Sequence, residues 1–183
     1  PRAQETSIVP AYETIDDNTM KAYLSNPFSL YVSQGCKYAC NFCSAQRTNK
    51  NTADGKIRKG KEVYRSIDAI REDLEYLIGR AKNLGINNLT MYMSNLDVAQ
   101  TPHKLKEFAE TIIDMKKENS DFEIEFSALA TIGEYKKLAE KQPDILLMMY
   151  AAGLRNIGFG IEGIAEGYCQ GINKVQNKLA DSY

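Results

Sequence analysis

This sequence of 183 residues lacks the features that mark several common classes of protein. No run of about 18 apolar residues occurs, so we expect no membrane-spanning helix and no membrane partner. No basic segment followed by an apolar one opens the chain, so we expect no secretory signal and a cytoplasmic location. The 24 acidic and 23 basic residues nearly balance, so the overall charge of the chain does not favour nucleic acid as a partner.

Cysteine is scarce and unevenly placed. Of four cysteines, Cys36, Cys40 and Cys43 fall within eight residues, whereas Cys169 is far away in the sequence. The disulfide framework of a small secreted domain would spread its cysteines along the chain. The cluster therefore predicts a metal site in a protein of a reducing compartment.

Hydrophobic periodicity divides the chain into two parts. We interpret residues 1–27 as an approach segment and residues 28–183 as a domain of alternating strands and helices. Strands are predicted at 28–34, 88–94, 122–128 and 155–161. Helices are predicted at 66–84, at 134–151 with a break near Pro143, and at 164–179. A further helix is predicted to begin with Thr101 as its N-cap and Pro102 in its first turn.

Four strands that alternate with helices predict a parallel sheet. Along every strand one alternate set of side chains is apolar and the other is largely polar. A doubly wound sheet is covered by helices on both faces and should be apolar on both. We therefore expect an α/β fold in which a partial (βα) barrel surrounds a polar ligand. An antiparallel sheet with one wet face is the alternative, and the intervening helices weigh against it.

The clustered cysteines have the spacing C-x3-C-x2-C and begin where the first predicted strand ends. Three thiolates on a short loop can bind three irons of a cubane iron–sulfur cluster and leave the fourth iron open to a small molecule. A structural zinc site would need a fourth ligand, and the one histidine, His103, lies a strand later. A four-cysteine electron-transfer cluster that uses Cys169 also stays open.

The cysteine spacing, with Phe42 before the third cysteine, resembles the radical S-adenosylmethionine superfamily. Four further segments are similar to its cobalamin-linked branch: Val9-Pro10-Ala11-Tyr12, Val63-Tyr64-Arg65-Ser66, the stretch 153–162 that ends in Gly-Ile-Glu, and Ile172-Asn173-Lys174. The core barrel of that family has about six strand–helix units, of which four are recognised here. The resemblance therefore implies an incomplete core of a TIM-type barrel.

The resemblance implies that Cys36, Cys40 and Cys43 ligate a 4Fe–4S cluster whose open iron takes S-adenosylmethionine. One electron, from a flavodoxin- or ferredoxin-type donor, would cleave the sulfur–carbon bond of this cofactor. The resulting 5′-deoxyadenosyl radical would abstract hydrogen from an unknown small-molecule or macromolecular substrate. The similarity to the cobalamin-linked branch also implies cobalamin, bound through a domain outside this chain.

The resemblance further implies cofactor contacts for individual residues. Phe42 would pack near the adenine, and Ser94 and Asn95 would approach the methionine amino group. Ser127 is a candidate for the methionine carboxylate, and Glu162 would accept both ribose hydroxyls. All five lie in or after predicted strands near the carboxyl ends, where barrel enzymes place their sites.

Two groups of residues leave other functions open. Tyr92 and Glu125 fall on the polar face and are substrate-side candidates, although a structural hydrogen bond would explain each equally well. Between Arg47 and Arg65 there are seven basic and two acidic residues, which suits either a phosphate-bearing partner or a solvated loop. Methylthio transfer to RNA is therefore an alternative within the superfamily. A non-catalytic metal-binding or electron-transfer module is the alternative outside it.

Overall fold

The computed structural model describes residues 6–38, 40–43, 62–162, 167–172 and 174. The strands are β1 (Phe28–Tyr31), β2 (Ser33–Gln34), β3 (Val63–Tyr64), β4 (Asn88–Ser94), β5 (Glu123–Ala130) and β6 (Leu154–Phe159). The helices are α1 (Val9–Tyr12), α2 (Asp17–Leu24), α3 (Ile67–Asn83), α4 (Pro102–Glu118), α5 (Ile132–Lys141), α6 (Pro143–Ala152) and α7 (Tyr168–Gly171). Within these described ranges, no helix is long and apolar enough to cross a membrane.

Four strands form a parallel sheet in the order β1-β4-β5-β6. Strands that follow one another along the chain, apart from the short β2 and β3, are therefore neighbours in the sheet. The order does not reverse, as it would in a doubly wound sheet. The predicted α/β fold with parallel strands in a partial barrel is confirmed.

The two faces of the sheet differ as the alternating pattern predicts. On β4, Leu89, Met91 and Met93 are almost fully buried, whereas Thr90 and Tyr92 between them are half-buried. The buried set packs with the apolar stripes of the helices in one continuous core. The helices thus cover one face, and Tyr31, Tyr92 and Ser94 on the other face line a cavity described below.

The start of α3 has the N-terminal cap that is typical of its sequence, whereas the start of α4 does not. At α3, the Ser66 hydroxyl accepts a hydrogen bond of 3.3 Å from the backbone N–H of Ala69, as expected of an N-cap. At α4, Pro102 occupies the first turn, but Thr101 makes no such cap. Its hydroxyl instead donates to the Glu62 carboxylate at 2.7 Å, so the predicted capping role of Thr101 is wrong.

The predicted break at Pro143 separates α5 from α6, and Gly153 ends α6. Gly153 has a φ of 121°, in the region that favours glycine, and donates its N–H to the carbonyl of Met149 at 3.1 Å. A Cβ atom at this position would lie 2.2 Å from the carbonyl oxygen of Ile124. Glycine therefore allows the chain to turn closely against β5 before it enters β6.

The bounds of two predicted elements differ from the structure by more than two residues. The strand expected at 28–34 ends at Tyr31, and Ser33–Gln34 instead pairs antiparallel with Val63–Tyr64. The helix expected at 164–179 is present as Tyr168–Gly171, and the rest of that prediction lies largely outside the described residues.

Strand β6 lies at one edge of the sheet, where its described partner is β5 alone. Apolar side chains near this edge are unusually exposed: 41% for Phe159, 41% for Ile161 and 43% for Leu129. The outer backbone N–H and C=O groups of an edge strand are ready to pair with another strand. This edge is therefore where the sheet of a larger barrel would continue.

Candidate active site

Two adjoining cavities lie at the carboxyl ends of the parallel strands, and Leu96 lines both. The first has a volume of about 630 Å³ and is lined mainly by the ends of β1 and β4, with Tyr31, Ser33, Gln34, Gly35, Tyr92, Ser94 and Asn95. The second has a volume of about 300 Å³ and is lined by Cys36, Cys40, Phe42, Cys43, Leu129, Ala130, Thr131, Gly158, Phe159, Gly160, Glu162 and Lys174.

The three clustered cysteines all line the second cavity. Cys40 is buried, whereas Cys36 and Cys43 are half-buried, and none of the three is in a disulfide. The backbone N–H of Tyr38 donates to the sulfur of Cys36 at 3.5 Å. Burial raises the pKa of the Cys36 thiol, and the nearby Asp97, Cys40 and Cys43 add to the increase. The loop therefore gathers three thiols around one space.

Thiolates such as these can bind either a single metal ion or an iron–sulfur cluster. In the part of the chain that the structure describes, no three His, Cys, Asp or Glu side chains converge as ligands of one metal ion. The ligands of a cubane need not converge, because each thiolate binds a different iron. Three thiols around a cavity that also contains polar groups are the donors that such a cluster and a small ligand would require.

Glu134, on α5, anchors the cysteine loop through Lys37 and Tyr38. Its carboxylate accepts hydrogen bonds from the Lys37 ammonium at 2.6 Å, from the Tyr38 hydroxyl and from Lys137 at 2.8 Å. The backbone N–H of Lys37 also donates to the side-chain oxygen of Gln100 at 3.1 Å. The two residues after Cys36 are thus held to the body of the fold by side chains distant in sequence.

We expect Glu134→Gln to destabilise the protein by about 1.5–3 kcal/mol at pH 7, the scale of hydrogen bonds to a charged group. Burial acts to raise the pKa of Glu134, but the hydrogen bonds from Lys137, Lys37 and Tyr38 outweigh it and lower the pKa to about 2. A carboxyl whose pKa falls on folding stabilises the native state above its ordinary pKa and loses that contribution as pH falls. The difference from wild type should therefore shrink as the pH falls from about 5 towards 2.

Urea unfolding of both proteins at several pH values measures this difference. Glu140→Gln is a matched control, because Glu140 is an exposed carboxylate on the same helix. A loss of stability at pH 7 that is equal for the two variants would contradict the anchoring role of Glu134.

Asn95 lies at the end of β4, beside the first cavity, with 5% of its surface exposed. Neither atom of its side-chain amide makes a hydrogen bond of good geometry with a described residue. The Tyr64 hydroxyl lies close enough to interact with Asn95 and with Glu62. A buried amide without partners is costly unless another molecule satisfies it. Ser94 and Tyr92 line the same cavity, and burial raises the pKa of Tyr92.

Asp97 is a buried carboxylate behind the cysteine loop that the sequence analysis did not single out. It accepts hydrogen bonds from the Thr131 hydroxyl at 2.7 Å and from the backbone N–H of Ala99 at 3.1 Å. Burial raises the pKa of Asp97, and these hydrogen bonds oppose the increase. Asp97 thereby ties the segment after β4 to Thr131, which lines the second cavity.

Glu162 follows β6 and lines the second cavity together with the three clustered cysteines. Its φ of 60° lies in the left-handed region, which is costly for a residue with a side chain and is often retained at functional sites. One carboxylate oxygen accepts a hydrogen bond from Lys174. Phe42, which is 54% exposed, lines the same cavity.

Two sequence-based candidates, Ser127 and Glu125, are not brought into these cavities. Ser127 is half-buried within β5, in register with Tyr92, and lines neither cavity. Glu125 pairs with Arg155 at 2.9 Å on the surface. Most of the basic stretch, residues 47–61, lies outside the described residues.

Comparisons with known proteins identify a fold. No family model and no curated protein sequence matches the chain. Among solved structures, the chain is similar to the apo form of OxsB, a cobalamin-dependent S-adenosylmethionine radical enzyme. The TM-score is 0.61 and the sequence identity 18%, over 84% of this chain and 20% of OxsB. The fold is thus shared with a radical S-adenosylmethionine enzyme, and the chain spans about a fifth of that protein's length.

Proposed function

We propose that this chain is the cluster- and cofactor-binding part of a radical S-adenosylmethionine enzyme. One observation carries the proposal: the three thiols of C-x3-C-x2-C line a single cavity with Glu162, at the carboxyl edge of a parallel sheet. The likeness of the fold to OxsB supports it, although that likeness concerns the fold alone.

In this proposal, the chain's own residues hold and shield the reacting groups. Cys36, Cys40 and Cys43 would ligate a 4Fe–4S cluster, and Glu134 would keep the loop in place through Lys37 and Tyr38. When bound, a reduced cluster and S-adenosylmethionine would supply radical chemistry at a C–H bond of a substrate. The protein's task is to orient the cofactor and to keep water away from it.

The proposed cofactor contacts occupy both cavities. Glu162 would accept hydrogen bonds from the ribose hydroxyls, and Phe42 would pack against the adenine in the second cavity. Asn95, with Ser94, would meet the methionine amino group, because its buried amide oxygen makes no hydrogen bond of good geometry with the described residues. Ser127 is the weaker candidate for the methionine carboxylate, since it lies outside both cavities.

The first cavity is where we propose that the substrate binds, with Tyr92 in its wall. A flavodoxin- or ferredoxin-type protein of the reducing cytoplasm would donate the electron. We also propose that cobalamin takes part through a domain outside this chain, since OxsB is cobalamin-dependent and the chain spans a fifth of it.

Anaerobic reconstitution of the full-length protein with iron and sulfide tests the proposal. We expect about four iron and four sulfide per chain. With dithionite and S-adenosylmethionine, the product 5′-deoxyadenosine should accumulate, as measured by chromatography. One tightly held zinc without sulfide would instead indicate a metal-binding module. A cluster that never cleaves S-adenosylmethionine would indicate electron transfer.

A further inference from the structure

Lys174 places a buried positive charge in the second cavity. The residue is 4% exposed, and its ammonium group donates to the carbonyl of Gly160 at 2.8 Å and to one carboxylate oxygen, Oε2, of Glu162. The Glu162 side chain is 25% exposed, so it also remains accessible from the cavity. A buried ammonium is costly unless it is paired, so these contacts strongly favour one arrangement of the two side chains.

The same lysine connects the cysteine loop to the end of β6. The Lys174 ammonium lies 6.0 Å from the ring centre of Phe42, within the range of a cation–π contact. The backbone N–H of Asn41 donates to the carbonyl of Ile172 at 2.9 Å, and that of Lys174 to the carbonyl of Cys169 at 2.7 Å. The short segment around α7 is therefore held against the loop, and it carries Lys174 into the cavity.

Gly160 provides the space that the ion pair requires. A Cβ atom at this position would lie 3.0 Å from Oε1 of Glu162 and 3.0 Å from Nζ of Lys174, closer than most Cβ contacts. Any side chain at residue 160 would therefore push against both partners. Without a Cβ atom at residue 160, Oε1 of Glu162 and Nζ of Lys174 can both occupy their positions.

We propose that Lys174 is a positioning residue: it holds Oε2 of Glu162 so that Oε1 is presented to the ribose hydroxyls of an adenosyl ligand. This inference rests on the proposed function, which gives Glu162 its ligand. Lys174 acts through Glu162 and does not itself contact the ribose. A carboxylate whose orientation is already fixed loses less side-chain entropy when it binds a hydroxyl than a carboxylate that rotates freely.

Calorimetric titration of the cluster-loaded full-length protein, without reductant, tests this role. Lys174→Met should weaken S-adenosylmethionine binding by at least about tenfold, the range of one hydrogen bond to a charged group. Iron and sulfide content should be unchanged. Lys174→Arg should recover most of the affinity, and Gly160→Ala should weaken binding without any change of charge. Lys141→Met, an exposed lysine on α5, is the control for loss of a positive charge.

Two further measurements distinguish a positioning role of Lys174 from other roles. In a Glu162→Ala background, Lys174→Met should have almost no additional effect, because the lysine then has no carboxylate to hold. 5′-Methylthioadenosine retains the ribose but lacks the methionine carboxylate. Lys174→Met should weaken the binding of this ligand by the same factor as the binding of S-adenosylmethionine.

Each contrary outcome overturns the inference in a recognisable way. Wild-type affinity in Lys174→Met, or additive losses in the double variant, would exclude an action through Glu162. A loss confined to S-adenosylmethionine would mean that Lys174 binds the methionine carboxylate directly. Loss of iron that Lys174→Arg does not restore would make the residue only structural. If the wild-type protein takes up neither cluster nor ligand, the proposed function fails, and the inference fails with it.

Discussion

Replacing Cys36, Cys40 or Cys43 with alanine, one at a time, is expected to abolish the broad visible absorbance of the iron- and sulfide-reconstituted protein. A cubane bound by three thiolates has no spare protein ligand, so the loss of one leaves two irons without a protein donor. The three thiols line one cavity, and no other cysteine lines it among the described residues. The loss should therefore be nearly complete in every single variant.

Cys169→Ala is the matched control for these variants. Cys169 lies on the short helix α7 and is half-buried, and it does not line the cavity of the other three cysteines. Absorbance, iron and sulfide should therefore stay at wild-type levels in this variant. A colourless Cys169→Ala protein would show that the cluster uses four cysteines and that no iron is open to S-adenosylmethionine.

The sheet could be predicted well because its signals are local. Alternation of apolar and polar residues along β4 and β5 is a property of each strand, and it reports which face the helices cover. The signals for the helix start near Ser66 and for the break at Pro143 are equally local. Thr101 departs from its expected role because a distant carboxylate, Glu62, competes for its hydroxyl. Local sequence carries no sign of that competition.

The end of the first strand illustrates the same limit. Nothing in the stretch 28–34 marks a boundary, since it reads as one run of strand-forming residues. The boundary arises because Ser33–Gln34 pairs with Val63–Tyr64, about thirty residues later. A pairing partner at that separation cannot be recognised from the periodicity of either segment.

The candidate site could likewise be predicted from the sequence only in part. Cysteine spacing is a local pattern, so the sequence identifies the loop on which the thiols lie. The groups that support this loop are scattered: Glu134 lies 97 residues from Lys37, and Asp97 lies 34 residues from Thr131. A single glutamate on an amphipathic helix is typical of any solvent-facing helix, so Glu134 has no distinguishing signal in the sequence.

Asp73→Asn is expected to cost about 3–5 kcal/mol of folding stability, because it removes one partner of a buried ion pair. Arg65 and Asp73 have fully buried side chains and pair at 2.7 Å. Arg65 also donates to the carbonyls of Tyr31 and Thr6, at 3.0 Å each. With asparagine at position 73, the guanidinium stays buried but loses its counter-charge.

Asp73 also receives two hydrogen bonds from the chain's first described segment. The Ser7 hydroxyl and the backbone N–H of Ile8 donate to the same oxygen, each at 2.7 Å. The carboxylate therefore joins three elements: this segment, β1 through Arg65, and α3 on which it lies. Its loss should release the segment before α1 as well as destabilise the sheet edge, so protease cleavage near residue 7 should accelerate.

Chemical unfolding measures the free energy of unfolding of Asp73→Asn. The control is Glu72→Gln, which makes the same kind of change at the exposed neighbouring position on α3. The control should stay within about 0.5 kcal/mol of wild type, as surface substitutions do. Arg65→Met combined with Asp73→Asn should cost less than the sum of the single changes, because no lone charge stays buried. A strictly additive double variant would mean that the hydrogen bonds to the backbone, rather than the pairing of charges, make these two residues important.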